Sequence, residues 1–95
     1  MARAVRVLFL GDTHGALDAR VLALAQTCEL AVHAGDVGSS AVLSALREAC
    51  GDVRAVRGNN DVASKWPTSD RTALMALPAY MRVELPGGLL VAEHV

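Results

Sequence analysis

Three groups of polar residues with metal-binding or acid–base capacity follow three short apolar runs, and each group stands beside a glycine. The groups are Asp12-Thr13-His14, Asp36 and Asn59-Asn60-Asp61. Carboxylate, imidazole and amide oxygen together, without thiolates, suit a borderline-hard divalent metal such as manganese, iron or zinc. The neighbouring glycines allow sharp turns that bring the backbone close to a ligand. The sequence therefore predicts a metal site on loops, to which His94, after a later apolar run, can add another imidazole.

The apolar pattern between these groups predicts the elements that must position them. Runs of strand length occupy residues 5–10, 30–34 and 53–56. Helical periodicity separates them, first over 17–28 and then from the N-cap candidates Ser39 and Ser40 to the capping Gly51. Such alternation implies a parallel sheet with right-handed crossovers. Because the carboxyl ends of parallel strands lie along one edge, the polar groups should meet there.

The rest of the chain predicts a loop followed by a hairpin. Residues 64–70 are rich in turn formers, and 72–77 indicate a short helical turn. Residues 80–85 and 89–94 are strand-like runs on either side of Pro86-Gly87-Gly88, which favours an antiparallel hairpin. The last apolar run has no polar tail after it. We therefore expect residues 1–95 to be a single, incomplete domain, the first part of a longer one.

Composition excludes several classes of protein. The 95 residues are 53% apolar and 20% charged, which is typical of a globular core. The net charge of -1 disfavours nonspecific nucleic acid binding, and no apolar run approaches the ~20 residues that span a bilayer. The N-terminus does not have the pattern of a signal peptide, so the cytoplasm is the expected compartment. Cys28 and Cys50 have no metal-binding spacing, which favours reduced, buried thiols.

Four short motifs occur in a specific order, each after a predicted strand. They are Gly11-Asp12-Thr13-His14-Gly15, Gly35-Asp36, Gly58-Asn59-Asn60-Asp61 and Glu93-His94. In this order they resemble the motifs of the calcineurin-like metallophosphoesterases, in particular the small bacterial and archaeal phosphodiesterase branch. The resemblance implies an α/β fold, the N-terminal part of a four-layer αββα sandwich, in which a βαβαβ parallel sheet precedes an antiparallel hairpin.

The resemblance also implies a centre of two divalent metal ions. Asp12 and His14 would hold the first ion, Asp36 would bridge both, and Asn59 with His94 would hold the second. Manganese is the first expectation for the metal, with iron, zinc, nickel and magnesium as alternatives. A water activated between the two ions would attack the phosphorus of a phosphate ester substrate.

The remaining site residues follow from the same resemblance. Asp36, Asn60 and Asp61 are the candidate catalytic residues, and Asn60 is a candidate for substrate binding. Apart from the resemblance, Arg57, directly before Gly58, is a second candidate for substrate binding because its guanidinium can bind a phosphate bidentately, and a solvated or structural role is an equal alternative. Asn60 stands where most of the family has a histidine, and an amide cannot act as a general acid. This departure favours phosphodiesters whose leaving group needs little protonation. The family's last motif, Gly-His-x-His, is absent, so each metal would have three side-chain ligands and affinity should suffer.

Other readings of the same residues stay open at this stage. A metal-poor interaction scaffold of the same fold, similar to the scaffold subunit of retromer, is the alternative function. A dinucleotide-binding domain is disfavoured, because the first turn lacks G-x-G-x-x-G. His33 is expected to be a hydrogen-bonded core residue, and Trp66 and Pro67 to form a lid or an interface patch. If the chain is a fragment, its unpaired edges favour self-association, and a symmetric dimer is expected.

Overall fold

A parallel three-stranded sheet forms the centre of the structure, a computed structural model that describes residues 5–94. The elements are β1 (Val7–Leu10), α1 (Ala19–Ala25), β2 (Leu30–His33), α2 (Ser40–Cys50) and β3 (Val53–Ala55), followed by α3 (Arg71–Met75), β4 (Tyr80–Leu85) and β5 (Gly88–Glu93). The sheet order is β1-β2-β3, with Val7 opposite Leu30 and Ala31 opposite Val53. The predicted βαβαβ unit is thereby confirmed. The central strand β2 is buried along its whole length, as a strand covered on both faces should be.

The two crossover helices differ in how closely they follow the apolar pattern. α1 is shorter than the predicted stripe at both ends, and Asp18 caps its start by accepting the N–H of Arg20 at 2.8 Å. α2 has the predicted bounds, and Gly51 ends it with φ +91° while its N–H donates to the Arg47 carbonyl at 2.9 Å. At the start of α2, the N–H of Ser40 is accepted by the Asp70 carboxylate at 2.9 Å. A side chain from a distant loop thus supplies the cap.

The segment after β3 is more ordered than the loop predicted from its composition. It contains two short 3-10 helices, Ala63–Lys65 and Thr68–Asp70, and α3 follows directly. Trp66 is 5% exposed and packs in the core beside Leu74 and Leu77. The expectation of a lid or an interface patch is therefore wrong for Trp66, whereas Pro67 is exposed.

The hairpin and the helices cover opposite faces of the parallel sheet. β4 and β5 pair antiparallel, with Tyr80 opposite Glu93 and Leu85 opposite Gly88, which confirms the predicted hairpin. Its apolar face packs on one side of the sheet through a cluster of Leu30, Val32, Val56, Val83 and Ala92. On the other side, Ala31 and Ala55 pack with Val42, Leu43 and Leu46 of α2. The layers are thus helices, parallel sheet and hairpin.

No helix within residues 5–94 has the length and apolar character to cross a membrane. Both cysteines are free and half-buried, and the Sγ of Cys50 donates to the carbonyl of Cys28 at 3.1 Å.

Candidate metal centre

Asp12, His14 and Asp36 are the only non-glycine residues with positive φ among residues 5–94. Their φ angles are 55°, 49° and 57°. A left-handed backbone costs a residue with a Cβ about 1–2 kcal/mol, so it persists only where the surrounding structure enforces it. The three strained residues are also three of the predicted metal ligands. Strain at these positions therefore marks the loops after β1 and β2 as a candidate functional site.

Backbone hydrogen bonds enforce this conformation by joining the two loops. The N–H of Asp12 donates to the Gly35 carbonyl at 2.9 Å, and that of His14 donates to the Asp36 carbonyl at 2.9 Å. The N–H of Gly15 likewise donates to the Val37 carbonyl. The backbone of Gly38 lies so close to His14 and Gly15 that a Cβ there would collide with their main chain. The loops consequently hold their side chains in fixed relative positions.

The first half of the candidate centre consists of Asp12, His14 and Asp36. Each offers one ligand atom, and these atoms lie within 4.8 Å of one another. The Nε2 of His14 is 3.8 Å from the Oδ2 of Asp36. Asp36 is only 4% exposed, whereas Asp12 and His14 face solvent. The arrangement leaves an open side from which an ion and a substrate can approach.

The second half consists of His94 and Asn59, on the other side of Asp36. The Nδ1 of His94 lies 3.0 Å from the carbonyl oxygen of Ala34, which can only accept, so Nδ1 carries the proton. Its Nε2 lies at hydrogen-bond distance from the Oδ1 of Asn59, 2.9 Å, and 3.6 Å from the Oδ2 of Asp36. Three electron-rich atoms converge here, which is the chemistry of a cation site.

Gly35 makes the position of His94 possible. A Cβ at residue 35 would lie 2.7 Å from Nδ1 of the imidazole, which is closer than real side chains approach. Gly35 also has φ +113°, a conformation that favours glycine. The glycine before Asp36 therefore serves both the turn and the close approach of the second imidazole.

Asn60 anchors the Asp36 carboxylate through two hydrogen bonds. The backbone N–H of Asn60 donates to Oδ1 at 2.8 Å, and its side-chain Nδ2 donates to Oδ2 at 2.9 Å. Burial acts to raise the pKa of Asp36, but these bonds and the charges of His94 and His14 outweigh it, and the pKa lies below its ordinary value. Asp36 is thus held as a carboxylate, and it keeps lone pairs free for metal ions.

Asp61 lies beneath the site and is 2% exposed. Its carboxylate accepts four N–H groups, from Gly58 at 2.7 Å, Trp66 at 2.9 Å, Gly38 at 3.1 Å and Val37 at 3.2 Å. Burial raises the pKa of Asp61, but the four donors more than offset this, and the pKa is lowered. With its acceptors engaged, Asp61 positions the loops after β2 and β3. This arrangement favours a positioning role over the catalytic role expected from the sequence.

His33 is fully buried and connects β2 to the loop that carries Asp12 and His14. Its Nδ1 accepts the N–H of Gly35 at 3.1 Å, so Nε2 carries the proton and donates to the Oγ1 of Thr13 at 2.9 Å. The Thr13 hydroxyl in turn donates to the Val37 carbonyl. Burial is the main cause that lowers the pKa of His33, against the opposing charges of Asp61, Asp12 and Asp36. The ring is neutral and holds the Asp12 loop in place.

The basic side chains of Arg57 and Lys65 make different contacts. The Nη2 of Arg57 donates to the carbonyl of Leu77 at 3.1 Å, which ties this candidate for substrate binding to the chain before β4. Lys65, which sequence reasoning did not single out, donates from Nζ to the Oδ1 of Asn60 at 2.6 Å. Its signal in the sequence is weak, since no motif contains it. Only the path of the irregular segment after Asp61 brings it to the site.

The structure therefore brings the five predicted metal ligands together, with Asp36 at their centre and Asn60 in contact with its carboxylate. They come from four separate segments, the loops after β1, β2 and β3 and the end of β5. Asp61 supports the loops from below, and Arg57 is engaged elsewhere. The arrangement can hold divalent cations next to an open, solvent-facing side.

Comparison with known proteins agrees with this geometry. The family model for the calcineurin-like phosphoesterase superfamily domain matches residues 5–94. The crystal structure of Chaetomium thermophilum Vps29 is similar in fold, with a TM-score of 0.63 and 24% sequence identity over 86% of this chain. The match spans 42% of the length of that protein. No curated protein sequence matches significantly. The family resemblance of the four motifs is thus confirmed, and the chain belongs to the calcineurin-like phosphoesterase superfamily.

Proposed function

We propose that this chain carries the metal centre of a phosphodiesterase that hydrolyses its substrate with a water activated by two divalent ions. The observation that supports the proposal most strongly is the position of Asp36 between two imidazoles. Its Oδ2 is 3.8 Å from the Nε2 of His14 and 3.6 Å from the Nε2 of His94. A buried carboxylate with a ring nitrogen on either side is suited to bridge two cations.

The donor set fits such ions. One ion would be held by Asp12, His14 and Asp36, and the other by Asp36, Asn59 and His94. When bound, the pair supplies a nucleophile from water at neutral pH and positive charge for the phosphoryl oxygens. Oxygen and imidazole ligands without thiolates are compatible with manganese, our first choice, and with iron, zinc, nickel or magnesium.

The protein's own residues orient the centre and limit its substrates. The two hydrogen bonds from Asn60 fix the Asp36 carboxylate, and the Nδ1 contact with Ala34 turns the Nε2 of His94 toward it. The Asn60 amide is not acidic enough to protonate a leaving group. A diester with a phenoxide-like leaving group, stable without protonation, is therefore the favoured substrate class. The cytoplasm, as expected from the sequence, is the compartment that we propose.

Metal content and hydrolysis, measured on the same samples, test this proposal. After manganese loading and desalting, we expect about two ions per chain and turnover of bis(p-nitrophenyl) phosphate. Asp36→Asn should lose retained metal and at least about a hundredfold in turnover, because a bridging ligand matters more than the groups around it. Asp52→Asn is the matched control, since the Asp52 side chain is exposed and accepts a hydrogen bond from the Nε of Arg54. Full metal content and turnover in Asp36→Asn would refute the proposal.

The interaction scaffold is the competing function for the same fold. A protein that works only by binding partners has no need of a metal centre, so it should retain no manganese and tolerate Asp36→Asn. The convergence of four further candidate ligand side chains on Asp36 favours the enzyme. A wild-type chain without retained metal and without turnover would favour the scaffold.

A further inference from the structure

Lys65, the only lysine of the chain, lies beside the candidate centre at the end of the first 3-10 helix. Its Nζ donates to the Oδ1 of Asn60 at 2.6 Å. Within residues 5–94, no carboxylate lies at ion-pair distance from this ammonium group. An exposed cation without a charged partner is thus held next to the site by a single neutral acceptor.

The orientation of the Asn60 amide explains why Lys65 is held there. Its Nδ2 donates to the Oδ2 of Asp36 at 2.9 Å, so its Oδ1 must face away from the carboxylate. That outward oxygen is the atom that accepts from Lys65. One amide therefore fixes the bridging carboxylate on one side and the ammonium group on the other.

An open cavity lies at the same place. It has a volume of about 290 Å³ and is lined by His14, Gly38, Asn60 and Lys65. This volume is near the lower end of the range for ligand sites. One wall is thus a candidate metal ligand, and another is the ammonium group. The other basic candidate, Arg57, contacts the Leu77 carbonyl instead.

We propose that Lys65 is the cation that binds the phosphate group of the substrate in this cavity, an inference that rests on the proposed function. An ammonium group has three donors, so one can stay on Asn60 while two reach phosphoryl oxygens. Its positive charge complements the phosphate, which Asn60 alone cannot do. In this role Lys65 binds the substrate and is not itself a metal ligand.

Substitutions at Lys65 test this role. In the manganese-loaded chain, Lys65→Gln should weaken inorganic phosphate about tenfold, as measured by calorimetry, because a hydrogen bond from a charged group is lost. It should also raise KM for the diester more than it lowers kcat, and it should keep the wild-type manganese content. Lys65→Arg keeps the charge and should stay within about threefold of wild type. Arg82→Gln, which removes an exposed charge from β4, is the matched control.

A single lysine also allows a direct readout. Selective ¹⁵N-lysine labelling marks Lys65 and keeps its three donors, and the Nζ signal that disappears in Lys65→Gln identifies it. We expect this signal to shift when inorganic phosphate is added to the zinc-loaded chain. Equal phosphate binding by wild type and Lys65→Gln, with no shift of the signal, would overturn the inference while leaving the proposed function intact. A wild-type chain that retains no metal and binds no phosphate would overturn both.

Discussion

The indole N–H of Trp66 donates to the buried carboxylate of Asp61 at 2.9 Å. Because the same carboxylate accepts the N–H groups of Val37, Gly38 and Gly58, it joins the loops after β2 and β3 to the helix-side core. Asp36 stands next to Val37, and Asn59 stands next to Gly58. The contact between Asp61 and Trp66 therefore supports both halves of the candidate centre from below.

Asp61→Asn should destabilise the protein by about 3 kcal/mol. The substitution keeps the shape of the side chain but removes its charge and half of its acceptor capacity, so that buried N–H groups lose their partners. Urea unfolding measures the loss, and the fluorescence of Trp66, the only tryptophan, reports it. Asp52→Asn removes an exposed carboxylate paired only with Arg54 and should cost less than about 1 kcal/mol. Equal losses in the two variants would show that the four contacts do not stabilise the fold.

Gly35→Ala should lower the manganese content from about two ions per chain to about one. The added Cβ would meet the ring of His94 at 2.7 Å and displace it from Asp36, while Asp12 and His14 stay in place. Elemental analysis after desalting measures the content.

Gly51→Ala provides the matched control for that experiment. Gly51 also has positive φ, +91°, but a Cβ there meets nothing within 4 Å. Both variants should lose about 1–2 kcal/mol of stability from backbone strain. Only Gly35→Ala should lose metal, and unchanged content in that variant would argue against His94 as a ligand.

Local patterns were sufficient to predict the sheet and much of the site. Apolar runs that end at Gly11, Gly35 and Gly58 define the three strands, and parallel strands must deliver their ends to one edge. The parallel arrangement alone therefore predicts that Asp12 and Asp36 lie close together. The hairpin is equally predictable from the local sequence, because its turn lies between two strand-like runs.

The contacts that could not be predicted depend on the irregular segment after β3. Trp66 looked like a surface residue because nothing in its neighbourhood indicates the buried acceptor Asp61. Arg57, the candidate for substrate binding, contacts the Leu77 carbonyl, whereas Lys65 reaches Asn60, because the path of the chain, which no periodicity determines, decides where each cation lies. The predicted α1 begins too early because the cap at Asp18 competes with the apolar stripe.

The metal-free protein should lose stability as the pH falls below about 6.5, and His33 should account for part of this loss. Burial lowers the pKa of His33 from its ordinary value of 6.5. In the unfolded chain the imidazole takes up a proton below pH 6.5, whereas in the folded chain Nδ1 stays engaged with the N–H of Gly35. The unfolded state then binds more protons, so the free energy of unfolding decreases by up to about 1.4 kcal/mol per pH unit. Above pH 6.5 this contribution is fully present and constant.

Two variants separate this effect from other titrations. His33→Gln removes the ionisable group, so it should cost stability at pH 7.5 but flatten the decline between pH 6.5 and the lower pKa of the folded state. Thr13→Val removes the partner of Nε2 and keeps the imidazole, so its decline should match that of wild type. Urea unfolding with a chelator present, repeated from pH 7.5 to pH 5, measures both. If the free energy of unfolding of His33→Gln declines as steeply with falling pH as that of wild type, His33 does not contribute to the decline. The loss of stability must then come from the titration of other groups.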